Sequence, residues 1–182
     1  MSFELALPVG AADHVLGPAQ AAVTVVEYGD FECPNCKQAA TAVKIMMARF
    51  AGRVRFVYRH FPLEGVHPHA LQAALAAEAA GAQAKFWPMH DLLFENQRHL
   101  ELPQLRRYAE QLDLDMGRYD AEMADERSPQ RVREHIASGE RSGVRGTPGF
   151  FVNRVVQDVS FGMEHLLEGV QAALGPPGQR FS

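Results

Sequence analysis

The sequence of 182 residues predicts an α/β fold, in which helices flank a central mixed sheet and an all-helical subdomain is inserted between two groups of strands. Three observations predict it: a strand–helix–strand pattern near the N-terminus, a long stretch with only helical patterns, and a strand pair before the last helix. Apolar residues make up 47% and charged residues 22% of the chain, as in an ordinary globular protein.

The first element is a β-branched, apolar run, Val23–Tyr28, which predicts a buried strand. A helical pattern runs from Pro34 to about Phe50, with apolar residues on one face. Val54–His60 is a second run rich in β-branched and aromatic residues. Strand, helix and strand in this order predict a βαβ unit, so we expect the two strands to be parallel.

Helical patterns alone fill the middle of the chain. Prolines at 88, 103 and 129 occupy positions where a first helical turn would begin. The predicted helices cover residues 69–80, 87–96, 103–112, 116–124 and 129–139. Helix-only sequence of this length between strands predicts an inserted helical subdomain.

Strand patterns return at Gly149–Val152 and Val155–Val159, and Asn153-Arg154 is a plausible two-residue hairpin turn. An amphipathic helix between Met163 and Leu174 follows. We therefore predict three parts. They are a discontinuous sheet domain of residues 22–62 and 144–175, a helical subdomain of residues 63–143, and an N-terminal extension of residues 1–21.

Charge and composition exclude several classes of partner. The net charge of −4 and the pI near 6.0 give no reason to expect a nucleic acid partner. No stretch approaches ~18 consecutive apolar residues, so we expect no membrane span. Since the first basic residue is Lys37, a secretory signal is not evident, and the sequence as written predicts a cytoplasmic monomer. An exported mature form remains an open alternative.

The two cysteines of the chain lie in one tetrapeptide, Cys33-Pro34-Asn35-Cys36. Cysteines three apart on a helix share a face, with α-carbons ~5 Å apart, which suits a disulfide that opens and closes. At a helix N-terminus the free amides and the helix dipole stabilise a thiolate. We therefore expect Cys33 to be the acidic, attacking thiol and Cys36 the buried, resolving thiol.

Two other interpretations compete with a redox pair. A Cys-x-x-Cys can be half of a zinc site, but zinc needs four ligands and the chain has no second cysteine pair. The two cysteines could also be structural and paired by chance. The strand before the tetrapeptide and the helix after it favour the redox interpretation, with no metal and no cofactor other than the Cys33–Cys36 disulfide.

Glu27 lies near the end of the first strand, six residues before Cys33. Beneath a dithiol, a carboxylate could relay protons to or from Cys36, and burial would raise its pKa toward neutrality. The alternative is a strand-end carboxylate that points into water.

Histidines raise the possibility of a metal site, above all His67 and His69, with His90 and His99 further on. None of them forms an i, i+4 pair with a carboxylate base, so we expect these histidines to lie at the surface or to cap helices.

The segments Glu27–Cys36 and Gly143–Asn153, which contain Cys-Pro-Asn-Cys and Gly146-Thr147-Pro148, together resemble the DsbA-like branch of the thioredoxin superfamily. The resemblance runs from about Ala22 to Leu174 and implies a thioredoxin fold with an inserted helical domain. It implies a cis peptide bond between Thr147 and Pro148 facing the dithiol, with the Thr147 backbone pairing with an extended substrate. Pro34 and Asn35 are expected at the substrate face, and Glu27 matches a buried acidic residue of the family.

The sequence departs from well-known, strongly oxidising members of this family, which carry Pro-His between the cysteines. Asn35 offers only an amide where histidine offers a cation or a donor. We therefore expect Cys33 to be less acidic and the protein less oxidising than those members.

The resulting functional prediction is a thiol–disulfide oxidoreductase that acts on protein or peptide thiols and disulfides. It also needs a redox partner, of unknown identity, that recycles the dithiol. Alternatives are a cytosolic disulfide reductase or redox-stress protein of the same fold, and a redox-inert peptide-binding module.

Overall fold

The computed structural model describes residues 4–175 of the chain. Strands and helices follow one another in the order that the sequence predicts, with one strand added near the N-terminus. The strands are β1 (His14–Leu16), β2 (Val23–Gly29), β3 (Val54–His60), β4 (Gly149–Val152) and β5 (Val155–Gln157). The helices are α1 (Pro34–Arg49), α2 (Ala70–Gly81), α3 (Phe86–Glu95), α4 (Leu102–Gln111), α5 (Met116–Ala124), α6 (Pro129–Arg141) and α7 (Glu164–Leu174).

The five strands form one mixed sheet in the order β1-β3-β2-β4-β5. β2 and β3 pair in parallel, with Val23 opposite Val54 and Gly29 opposite His60, which confirms the predicted βαβ unit. The other three pairings are antiparallel. Because helices cover both faces, nearly every residue of β2 and β3 is buried, and this explains their continuous apolar sequence.

β1 is a strand that the sequence analysis did not predict. It pairs antiparallel with β3, with His14 opposite Tyr58, and forms one edge of the sheet. Part of the predicted N-terminal extension therefore belongs to the sheet.

The hairpin between β4 and β5 confirms the predicted turn. Asn153 and Arg154 have φ angles of 45° and 74°, the left-handed region that a tight two-residue turn needs. β5 ends at Gln157, two residues earlier than the sequence pattern indicates.

One core cluster packs a face of the sheet against helices of the discontinuous sheet domain and helices of the inserted segment. It contains Val25 of β2, Val43 of α1, Ala76 of α2, Leu105 of α4 and Val170 of α7. A second, smaller cluster on the opposite face contains Val26 and Tyr28 of β2. Since α2–α5 share their core with the sheet, the division at residues 63 and 143 describes the chain order and stays a prediction as a boundary between folding units.

None of the helices between residues 4 and 175 is both long enough and apolar enough to cross a membrane.

Candidate active site

The dithiol lies where α1 begins, directly after the turn that follows β2. Cys33 is the N-cap of α1, with an extended backbone (φ −75°, ψ 122°), and Pro34 opens the helix. The backbone N–H of Cys33 donates to the carbonyl of Asp30 at 3.1 Å, which closes the turn. Both cysteines are free thiols. Cys33 retains 6% of its exposure and Cys36 retains none, so the first cysteine is the accessible one.

The two thiols differ in acidity. A hydrogen bond from Cys36 lowers the pKa of Cys33 to about 5, against the opposing effect of partial burial. Thr147 and the backbone amides of Cys36 and Asn35 lower it further. These amides are the unpaired N–H groups of the first helical turn, which stabilise an anion at this position.

Burial moves Cys36 in the other direction. Burial, the hydrogen bond with Cys33 and the nearby charge of Glu27 raise the pKa of Cys36 well above its usual range. The backbone N–H of Asp30 contacts Cys36 Sγ at 3.5 Å and opposes this effect. One thiol of the pair is therefore poised to be an anion and the other to keep its proton.

The second predicted segment meets the dithiol from the far end of the sequence. The Thr147–Pro148 peptide bond is cis, and Cys33 Sγ donates to the carbonyl oxygen of Thr147 at 3.4 Å. An open cleft of about 440 Å³ begins beside this contact. Its walls include Asn35, Thr147 and Pro148, together with Gln38 and residues 159, 160, 162 and 163. Pro34 is exposed at the start of α1 but does not line this cleft.

Glu27 is buried, with 1% of its surface exposed, so it does not point into water. It lies on the same face of β2 as Val23 and Val25, the face that packs in the core cluster with α1. Burial, with a smaller effect from the charge of Cys33, raises the pKa of Glu27 to about 8.

Three buried side-chain atoms have no hydrogen-bond partner between residues 4 and 175: Glu27 Oε1, Tyr58 Oη and Thr147 Oγ1. All three belong to residues that interact with the dithiol. Buried polar atoms without a partner are costly and uncommon. The Thr147 hydroxyl can rotate and donate to a Cys33 thiolate, so the missing partner is supplied when Cys33 ionises.

Asp30 is a residue of the site that the sequence analysis did not single out. Its side chain is fully buried beneath the turn that carries Cys33. In the sequence, Asp30 is an acidic residue between an apolar strand and an aromatic residue. A solvent-exposed turn commonly has an acidic residue in the same position, so the sequence does not show that Asp30 is buried.

The expectation that the histidines lie at the surface or cap helices is only partly right. His99 is exposed and His69 occupies the N-cap of α2. His90 is buried among aromatic rings, including those of Phe31 and Tyr58, so the expectation is wrong for this residue. His67 is half-buried and pairs with Asp30. Across residues 4–175 no group of three or more His, Cys, Asp or Glu side chains is arranged to hold a metal ion.

The family model described as Thioredoxin matches residues 10–172, and the chain therefore belongs to the thioredoxin family. Within that family it takes the fold of the DsbA-like thiol–disulfide oxidoreductases, as the sequence resemblance predicts.

Solved structures support this assignment. A thioredoxin-like oxidoreductase from Silicibacter pomeroyi DSS-3 is 27% identical, covers 92% of this chain and 95% of its own, and superposes with a TM-score of 0.81. Oxidised BdbD from Bacillus subtilis is 23% identical, with coverage of 97% and 100% and a TM-score of 0.83. An α-DsbA1 variant from Wolbachia pipientis is 19% identical, with coverage of 94% on both sides and a TM-score of 0.81. The last two likenesses show the shared fold alone.

Curated relatives with higher identity carry a different name. A protein of Salinispora arenicola named Na(+)/H(+) antiporter NhaA 1 is 50% identical over 161 residues, which are 88% of this chain and 24% of that protein. A Herminiimonas arsenicoxydans protein named Na(+)/H(+) antiporter NhaA is 42% identical over 140 residues, which are 77% of this chain and 22% of that protein. The chain thus spans about a quarter of the length of these relatives.

Proposed function

We propose that this chain is a thiol–disulfide oxidoreductase that exchanges disulfides with protein or peptide thiols through Cys33 and Cys36. The observation that carries the proposal is the opposite acidity of the two thiols, next to an open cleft lined by Thr147, the hydrogen-bond partner of Cys33. An acidic, accessible thiol attacks and leaves readily, while a protonated, buried thiol waits to resolve the intermediate.

The exchange proceeds in two displacements. The Cys33 thiolate attacks one sulfur of a substrate disulfide, the substrate S–S bond breaks, and its other sulfur leaves as a thiolate. Cys36 then loses its proton and attacks Cys33 Sγ, which releases the second substrate sulfur and forms the Cys33–Cys36 disulfide. The substrate gains two electrons and the dithiol loses two; disulfide formation in a substrate is the same sequence in reverse.

Glu27 is proposed to accept the proton of Cys36 in the resolving step and to return it in the reverse direction. Burial and the charge of the Cys33 thiolate raise the pKa of Glu27 to about 8, so Glu27 holds its proton while Cys33 is a free thiolate. In the mixed disulfide Cys33 carries no charge, so that contribution is lost and Glu27 can ionise and accept the proton of Cys36. Its unpartnered Oε1 leaves one oxygen available for that proton.

The cleft beside Cys33 is the proposed binding site for substrate. The backbone of Thr147, next to Pro148, would pair with an extended segment of the substrate, while Pro34 and Asn35 present an uncharged, exposed surface. We propose this thiol chemistry for the 182-residue chain alone, and we do not assign to it the antiport named for its longer relatives.

A turnover assay tests the activity. Wild-type protein is expected to accelerate the reduction of insulin by dithiothreitol, and Cys33→Ser is expected to abolish that acceleration. Cys36→Ser is expected to accumulate a mixed disulfide through Cys33, detectable by mass, because the resolving thiol is gone. Absence of catalysis by wild type, or an equal rate for Cys33→Ser, would favour the redox-inert binding module.

A glutathione titration sets the direction of electron flow. A Cys33 pKa of about 5 lies between the ~7 of thioredoxin and the ~3.5 of DsbA. We therefore expect a reduction potential between roughly −270 and −120 mV, the values of those two proteins. A value at or below the lower limit would favour the cytosolic reductase.

A further inference from the structure

Asp30 is a hydrogen-bonding centre between the dithiol turn and the loop that joins β3 to α2. Its Oδ1 accepts from the backbone N–H of Glu32 at 2.8 Å. Its Oδ2 accepts from the backbone N–H of Leu63 at 2.8 Å and pairs with His67 Nδ1 at 2.7 Å. The backbone N–H of Asp30 contacts Cys36 Sγ. Asp30 therefore ties the two loops together through its carboxylate and contacts Cys36 Sγ through its backbone.

The β3–α2 loop, residues 61–69, is held against the dithiol turn by two further contacts. The N–H of Phe61 donates to the carbonyl of Gly29 at 2.7 Å. The N–H of His69 donates to Glu32 Oε2 at 2.7 Å. These contacts fix where the side chain of His67 can lie.

A negative charge on Asp30 beside the dithiol disfavours a thiolate, and the imidazole of His67 is the group placed to offset it. Partial burial lowers the pKa of His67, but the hydrogen bond to Asp30 and the charges of Asp30, Cys33 and Glu32 outweigh burial and raise it. Interaction between two titrating groups is reciprocal, so a cation that the Cys33 thiolate favours must also favour that thiolate.

Other titratable groups around Cys33 do not supply this charge. Glu27 on β2, Tyr58 on β3 and Cys36 on α1 all have pKa values raised by burial, so each holds its proton near neutral pH. Glu32 adds a negative charge on the turn itself. Among the groups of residues 4–175 whose pKa shift involves Cys33, His67 is the one able to be positive near neutral pH.

We propose that His67 is a positioning residue of the dithiol: held by Asp30, it supplies a positive charge that stabilises the Cys33 thiolate. This inference rests on the proposed function. The equilibrium it concerns, the ionisation of Cys33, can be measured without any substrate. Pro34 and Asn35 carry no charge, and the β3–α2 loop provides one from outside the tetrapeptide.

Thiolate absorbance at 240 nm against pH, on the reduced protein, tests the proposal. His67→Gln keeps an N–H donor for Asp30 and removes the charge; we expect the acid dissociation constant of Cys33 to fall about threefold. The matched control is His69→Gln in the same loop, whose side chain does not contact Asp30 and which should leave the constant unchanged. His67→Arg restores a permanent cation and should return the constant to the wild-type value or above it.

Nuclear magnetic resonance titration of the histidine ring protons gives an independent readout. The pKa of His67 should be higher in the reduced protein, where the thiolate is present, than in the oxidised protein, while that of His69 should not differ. An unchanged Cys33 constant in His67→Gln, a His67→Arg variant that behaves like His67→Gln, or equal His67 titrations in both redox states would each overturn the proposal. Since none of these measurements needs turnover, a protein that fails the insulin assay can still pass them.

Discussion

Two buried polar regions of this protein are built on opposite principles. Around the dithiol, Glu27, Tyr58 and Thr147 each leave a buried oxygen without a hydrogen-bond partner among residues 4–175. The second region surrounds Glu78 of α2, which uses both carboxylate oxygens. Oε1 pairs with His14 Nε2 at 2.9 Å and with His60 Nε2 at 2.8 Å, and Oε2 with Arg131 Nε at 3.2 Å.

The difference in hydrogen bonding separates a region that holds the fold from one that performs chemistry. The Glu78 cluster connects β1, β3, α2 and α6, and every buried polar side-chain atom in it has a hydrogen-bond partner within residues 4–175. The dithiol region contains buried polar groups that gain a hydrogen-bond partner only when a proton or an electron pair moves. Satisfied buried polar groups stabilise a fold, whereas unsatisfied ones with shifted pKa values mark sites of reaction.

The sharpest test of the comparison is Glu78→Ala, which removes the centre of the satisfied cluster. It leaves His14, His60 and Arg131 without their shared partner, so the free energy of unfolding at pH 7 should fall by about 4 kcal/mol. Urea denaturation measures it. Glu95→Ala, at an exposed position beside Lys44, should change it by less than about 0.5 kcal/mol.

The Glu78 effect should also depend on pH. Burial raises the pKa of Glu78, but hydrogen bonds with His14 and His60 outweigh burial and hold it below its usual range. A group whose pKa is lower in the folded state stabilises it above the unfolded pKa, 4.5, and loses that effect as pH falls. A loss of stability that stayed the same size far into acid would contradict the ionic role.

Glu27→Gln should raise the free energy of unfolding, whereas Glu78→Ala lowers it. The pKa of Glu27 is raised from 4.5 to about 8, so the folded state gains protons and stability falls as pH rises between these values. Glutamine mimics the protonated acid and should stabilise the reduced protein by about 3 kcal/mol at pH 7, the gain shrinking toward pH 4.5.

Activity should move against stability in the same variant. If Glu27 receives the Cys36 proton, Glu27→Gln should slow release of the mixed disulfide while leaving its formation by Cys33 unchanged, as quenched-flow mass analysis would show. If Glu27→Gln were less stable than wild type, or released the mixed disulfide at the wild-type rate, Glu27 would have a structural role and not a role in proton transfer.

His135→Asn is the smallest of these effects. Burial, helped by the charge of His60, lowers the pKa of His135 from 6.5 to about 3. The wild type therefore loses stability as pH falls below 6.5, by about 2 kcal/mol at pH 5. Asparagine keeps an acceptor for the His60 N–H, which His135 Nδ1 accepts at 3.1 Å, and should remove that part of the pH dependence.

Unfolding curves at pH 7.5 and pH 5 measure the His135 effect. His99→Asn, at an exposed histidine, is the control and should keep the wild-type difference. An unchanged difference in His135→Asn would show that His135 is not buried in its neutral form.

The sequence predicted those elements whose signals are local. β2, β3 and β4 are buried apolar runs, and the turn at Asn153-Arg154 follows from two residues between strand patterns, the first of which tolerates left-handed backbone. β1 was missed because a three-residue edge strand has too short a pattern to detect. His90 was misplaced because helical spacing places a residue on a face but does not say what covers that face.

The tetrapeptide by itself determined the kind of chemistry this protein can do, because the spacing of Cys33 and Cys36 and the helix that follows act within a single turn. The hydrogen bond between the two thiols and the amides of the first helical turn, which lower the pKa of Cys33, also lie within the tetrapeptide. Only the tertiary structure decided the remaining contributions to the two pKa values: burial, the charge of Glu27, and Thr147, whose contact with Cys33 spans 114 residues of chain. Burial and nearby charge depend on distances in space, and no local pattern of residues encodes them.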